Sequence, residues 1–235
     1  MKIDNARLSR AWHGALALIV FASLTTRIVL TATGSGEPVG TRFERLFSYF
    51  TIQSNLLLLI AAATLAVNPH RDGRLWRIVR LDGLLGIVIT GIVYSTILAG
   101  TVELHGVAWW ADLGFHYIAP WAALLGWLLF GPRPRIDART MAWAAVWPLL
   151  WIGYTLAHGA ATGWYPYPFS DVTRWGYPAV LINLGVVVLI AVVLGTVLRL
   201  LDARLPSGSP AVPEATAVVV TKPGSSAESV GYRDM

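Results

Sequence analysis

Six apolar runs, each long enough to cross a hydrocarbon core about 30 Å thick, alternate with short polar or basic stretches along the chain. They cover roughly Ala11–Thr33, Leu46–Val67, Ile78–Gly100, Leu113–Phe130, Met141–Gly159 and Tyr177–Leu201. The pattern predicts an all-α polytopic membrane protein folded as a six-helix transmembrane bundle. The first run is too long for a cleavable h-region, contains Arg27 and lacks a small-x-small exit site, so it reads as a retained anchor. After Leu205 the periodicity stops, and Pro, Ser, Gly and Ala dominate. The expectation is a six-span domain over residues 1–205 and a disordered cytoplasmic tail over 206–235.

Polar residues within the runs gather at one depth. If the first run exits outward, Arg27 lies near its outer end, and the second re-enters through FSYFTIQSN, with Thr51 and Asn55 in its outer third. Tyr94 closes the third run, and Asp112 and His116 open the fourth. Tyr154 and His158 close the fifth, and Asn183 follows the start of the sixth. The inner halves of the even runs, such as LLLLIAAATLAV, are almost pure hydrocarbon. Hydroxyls, amides and charges are costly in lipid, so a shared level points to one chamber near the outer leaflet. Helical spacing puts Ser48, Thr51 and Asn55 on one face, Asp112, His116 and Pro120 on another, and Trp147, Trp151, Tyr154 and His158 in a stripe.

Charge supplies the orientation. Of the 18 Lys and Arg residues, 14 fall in the termini and the two loops assigned to one side, against Arg42, Arg45 and Arg174 on the other. The positive-inside rule then places both termini in the cytoplasm of a cell (inner) membrane. A sequence pI near 9.8 follows from this topology and from anionic lipid, with no nucleic-acid partner implied. Asp82, among arginines at the cytoplasmic end, reads as half of an interfacial ion pair. No cysteine is present, which excludes disulfides, thiolate nucleophiles and cysteine-ligated metal.

A threonine hydroxyl attacks an ester only with a base beside it, and a carboxylate on the far side of an imidazole makes that base effective. Thr51, His116 and Asp112 offer the three groups at one level, although Asp112 could equally pair with Arg27. Spacing alone leaves both pairings open. Asn55, Ser54, Tyr94 and His158 are candidate donors to an oxyanion. The segments YFTIQSN, DLGFHYIAP and HGAATGWYPYPFSD, spread in this order over the second to sixth runs, resemble the androgen-induced family of multi-pass membrane threonine hydrolases, in its bacterial relatives. The last segment, with Trp164, Tyr167, Pro168, Phe169 and Asp171, carries the most specific pattern. The resemblance implies cleavage of an amphiphilic fatty-acid-type ester, with Thr51 as nucleophile and His116 as base and with no cofactor. The alternatives are a non-catalytic lipid- or small-molecule-binding protein or transporter using the same chamber, and, more remotely, a b-type haem held by His116 and His158. A zinc site from His105, His116, His158 and Asp112 lacks tight ligand spacing.

Overall fold

The structure, a computed structural model, describes residues 5–100 and 103–206. The order is α1 (Asn5–Thr33), α2 (Val39–Ser48), α3 (Phe50–Val67), α4 (Arg74–Leu98), α5 (Gly106–Phe130), α6 (Ala138–Thr162) and α7 (Val172–Arg204). All except α2 are long and apolar enough to cross a membrane, giving six candidate spans among the described residues. Apart from Pro206, the expected tail over 206–235 lies outside the described residues.

Helices α1, α3, α4 and α5 form the packed heart of the bundle, around Leu16, Val20, Leu58, Ala62, Ile87 and Ala119. Lipid tails are as apolar as leucine, so close packing must hold these helices together. Small residues permit it. A Cβ on Gly83 would stand 2.9 Å from the Leu58 backbone nitrogen, and one on Gly86 would stand 2.7 Å from Ser54 Oγ. Gly83→Val forces α3 and α4 apart and is expected to cost about 1–3 kcal/mol, as overpacking does. A lowered thermal midpoint of the detergent-solubilised protein is the check. On the flank, α6 and α7 turn Leu149, Leu150, Leu181 and Leu189 outward.

Three departures from the hydropathy reading shape the outer end of the bundle. The second run divides at Tyr49, whose extended backbone (φ −69°, ψ 126°) separates the amphipathic α2 from α3. The fourth begins at Gly106, so Trp109 and Trp110 belong to its helix. The sixth begins at Val172 and bends at Gly176 (φ 72°), two residues before Pro178. Two π-helical turns, Tyr94–Leu98 in α4 and Gly114–Ile118 in α5, widen neighbouring helices at one level. Such bulges are rare and concentrate at functional sites.

At the basic end the arginines serve as structural ties. Buried Arg80 donates to the carbonyls of Gly131 and Pro132, and Arg133 to those of Trp127, Leu128 and Pro206. Asp202 accepts the amides of Arg135 and Ile136 at 2.5 and 2.7 Å. In the loop, two hydrogen bonds from Arg77 hold the Asp72 carboxyl well below the usual carboxylate range. Asp82 does not join this network. It is buried on another face of α4, with no ion pair among the described residues, which corrects the expected interfacial pairing.

Candidate functional site

The break at Tyr49 makes the site. Ser48 ends α2 with its hydroxyl turned back to the Glu44 carbonyl (2.8 Å) and meeting Tyr154 Oη at 2.6 Å. Because α3 restarts at Phe50, Thr51 is its second residue, where backbone amides have no partner within the helix. The Thr51 amide donates to Tyr167 Oη at 3.1 Å, and Thr51 Oγ1 lies 3.2 Å from the same oxygen. Burial pushes the Tyr167 phenol up to about 12, against the hydrogen bonds from Thr51 that favour its ionised form. It therefore keeps its proton near neutrality. With the amide pointing at its oxygen, that proton is free to go to Thr51 Oγ1. The threonine hydroxyl hydrogen can then point elsewhere.

His116 sits on the π turn of α5. Its Nδ1 is 2.8 Å from Asp112 Oδ1, a close contact bent away from ideal hydrogen-bond geometry. Tyr94 Oη donates to the other carboxylate oxygen at 2.7 Å, and the Tyr94 ring stacks on the imidazole with centroids 3.8 Å apart. The carboxylate thus faces the histidine, and the pairing left open by spacing goes to the imidazole. Arg27 makes no ion pair with Asp112 among the described residues. An α-helical i, i+4 pair sits one turn apart, and the π turn adjusts that register so that ring, carboxylate and phenol converge.

A cavity of about 510 Å³ opens beside these groups, bordered by Thr51, His116, Tyr94, Tyr167, Arg27 and Arg174. A narrower apolar slot of about 80 Å³ shares Thr51, Tyr94, His116 and Tyr167 and runs on between Val93, Trp151 and Val188. Thr51 and His116 border both spaces. The side chain that touches Thr51 Oγ1, however, is Tyr167.

Other polar residues of the chamber reading serve to hold it up. Ser54 is buried against Gly86, and Asn55 donates to the Thr51 carbonyl at 2.8 Å. Neither borders the cavity. The stripe on α6 fastens the helix break: Trp147 donates to Gln53 Oε1 (2.9 Å), Trp151 to the Ser48 carbonyl (2.9 Å), Tyr154 meets Ser48, and His158 pairs with Glu44. His158 therefore pairs with Glu44 of α2, and it borders neither of the two spaces that His116 borders. Among the described residues no three His, Asp or Glu side chains converge as metal ligands. Asn183 ties α7 to the Phe169 carbonyl at 3.0 Å.

The HGAATGWYPYPFSD segment is the loop that delivers Tyr167. Gly163 takes a positive φ of 72° to end α6. The Tyr165 ring lies where a side chain on Gly159 would have to be. Trp164 stacks edge-on against Tyr49 and under the Arg45 guanidinium. Pro168 opens a short 3₁₀ turn, Phe169 stacks on Tyr167 with centroids 5.3 Å apart, and Asp171 caps α7 through Thr173 and Arg174 amides. Sequence reasoning placed Tyr167 in a motif and gave it no contact with Thr51. A lone phenol among prolines and aromatics carries no spacing signal toward a helix 116 positions earlier.

No family model, curated protein or solved structure matches this chain.

Tyr167→Phe removes the hydroxyl that meets both Thr51 groups. If Thr51 reacts, turnover is expected to fall about 10²-fold with KM little changed, the size of losing one preorganised donor. Steady-state kinetics on a long-chain ester would separate the two parameters.

Proposed function

We propose that this protein is an ester hydrolase of a cell membrane, acting on an amphiphilic acyl ester that enters from the surrounding lipid. The reading rests on one observation above all: Thr51 and an imidazole backed by Asp112 border the same cavity, with an apolar slot beneath. The resemblance to the androgen-induced family of threonine hydrolases, and to its bacterial relatives, supports the same pair.

In this mechanism Thr51 Oγ1 attacks the ester carbonyl carbon and His116 Nε2 accepts its proton. Asp112 stabilises the imidazolium and fixes its tautomer. Tyr167 Oη, which borders the cavity beside Thr51, supplies the hydrogen-bond donor to the oxygen that becomes negative. The tetrahedral adduct collapses, the C–O bond to the leaving alcohol breaks, and His116 returns the proton to it. Water, activated by the same imidazole, then cleaves the acyl-threonine and frees the acid. Arg27 and Arg174 border the cavity, and the ester's chain lies along the slot. With both termini cytoplasmic, the cavity opens on the outer side.

The test is hydrolysis of p-nitrophenyl laurate by the purified protein in lipid nanodiscs. Saturable turnover, blocked by a fluorophosphonate, is expected. Flux of the intact ester into protein-loaded liposomes, with no cleavage, would favour the transporter reading instead.

A further inference from the structure

A second space adjoins the apolar slot below Thr51. A cavity of about 300 Å³ lies between α4, α6 and α7, walled by Leu85, Ile89, Met141, Trp147, Val188 and Val192. It shares Phe50, Ile89, Pro148, Val188 and Ala191 with the slot, so the same side chains line both. Its wall carries one charged residue. Asp82 is 7% exposed, borders this cavity, and has no hydrogen bond or ion pair to any described residue.

A carboxyl inside a membrane bundle is costly, and such groups usually pair or serve a ligand. The neighbouring arginines are occupied. Arg80, two positions away and so on another side of α4, is bound to two carbonyls; Arg77 holds Asp72; Arg133 holds backbone oxygens. Helix packing does not need the carboxyl either, since Gly83 and Gly86 make the close contacts to α3. From Asp82 to Val93, at the slot, α4 rises about 16 Å at 1.5 Å per residue. That is the reach of a lipid tail.

We propose that this passage binds a single unbranched alkyl chain ending in a hydrogen-bond donor, a hydroxyl or an ammonium, which Asp82 receives while the chain lies along the apolar walls toward Thr51. A plain hydrocarbon tail would leave the carboxyl unsatisfied. The site does not depend on ester cleavage and can be tested without it.

The experiment uses the full-length protein in phosphatidylcholine nanodiscs and measures thermal-midpoint shifts over graded 1-dodecanol, dodecylamine and dodecane. Apparent affinity for a donor-ended chain is expected to exceed that for dodecane about tenfold, the worth of one hydrogen bond to a buried carboxyl. Preference for dodecylamine alone assigns the donor as ammonium, and preference for dodecanol alone as hydroxyl. Asp82→Leu should erase the discrimination and still fold, because it replaces an orphan carboxyl with an apolar group. Asp82→Asn keeps an acceptor oxygen without charge, and should retain binding of dodecanol while losing that of dodecylamine. Equal binding of dodecane and both donor-ended chains by the native protein would overturn the proposal. So would discrimination that survives in Asp82→Leu.

Discussion

Thr51→Ala is expected to abolish the proposed ester turnover, by about 10⁴-fold or more, and Thr51→Ser to keep it within about tenfold. The first figure is the scale of losing a nucleophile from a site whose members act together. The second follows because serine supplies the same oxygen at the same helix position and loses only a methyl group. Both variants should fold. The contact that anchors this turn, from the residue-51 amide to Tyr167 Oη, is made by backbone and survives either change. The neighbouring hydroxyls offer no easy rescue. Ser48 is engaged with Tyr154 and the Glu44 carbonyl, and Ser54 is buried against Gly86. Kinetics on p-nitrophenyl laurate, with thermal scans of each variant, would check both halves. Turnover unchanged in Thr51→Ala would remove the threonine from the chemistry.

Asp112→Asn is expected to lower the proposed turnover by about 10³–10⁴-fold with little effect on ester binding. Asparagine is nearly the same size, but it cannot stabilise an imidazolium, and its amide can hold the neutral ring in the wrong tautomer. The carboxylate also accepts the Tyr94 hydroxyl, so the stacked Tyr94 ring could shift in the variant. Tyr94→Phe is the control. It removes that one hydrogen bond and keeps the stack, and a loss of only about tenfold is expected. Equal losses in Asp112→Asn and Tyr94→Phe would mean that Asp112 acts by holding the fold at this point.

The six spans were legible because hydrocarbon demands long apolar runs, and no tertiary contact can override that demand. The shared depth of Thr51, Tyr94, Asp112 and His116 was legible for the same reason. Their facing was only partly so. Asp112 could be placed on the His116 face, but the π turn that brings Tyr94 over the imidazole leaves no mark in the spacing. Asn55 and Ser54 looked like cavity residues by level, yet they face the packed side of α3, where close contact with Gly86 decides their surroundings. The break at Tyr49 was also hidden. Hydropathy carries through FSYF without interruption, and the extended residue is held there by Trp151, Tyr154 and Tyr167 from far along the chain. Asp82 misled because nearby arginines suggested pairing, whereas helical phase turns Arg80 and Asp82 in different directions.

The most direct measurement is peptide mass spectrometry of the protein after treatment with a fluorophosphonate in nanodiscs. One adduct per chain on the Thr51 hydroxyl, absent from the His116→Ala variant, is the predicted result. An adduct on Ser48, Ser54 or Thr162, or an intact protein that stays unmodified, would contradict it.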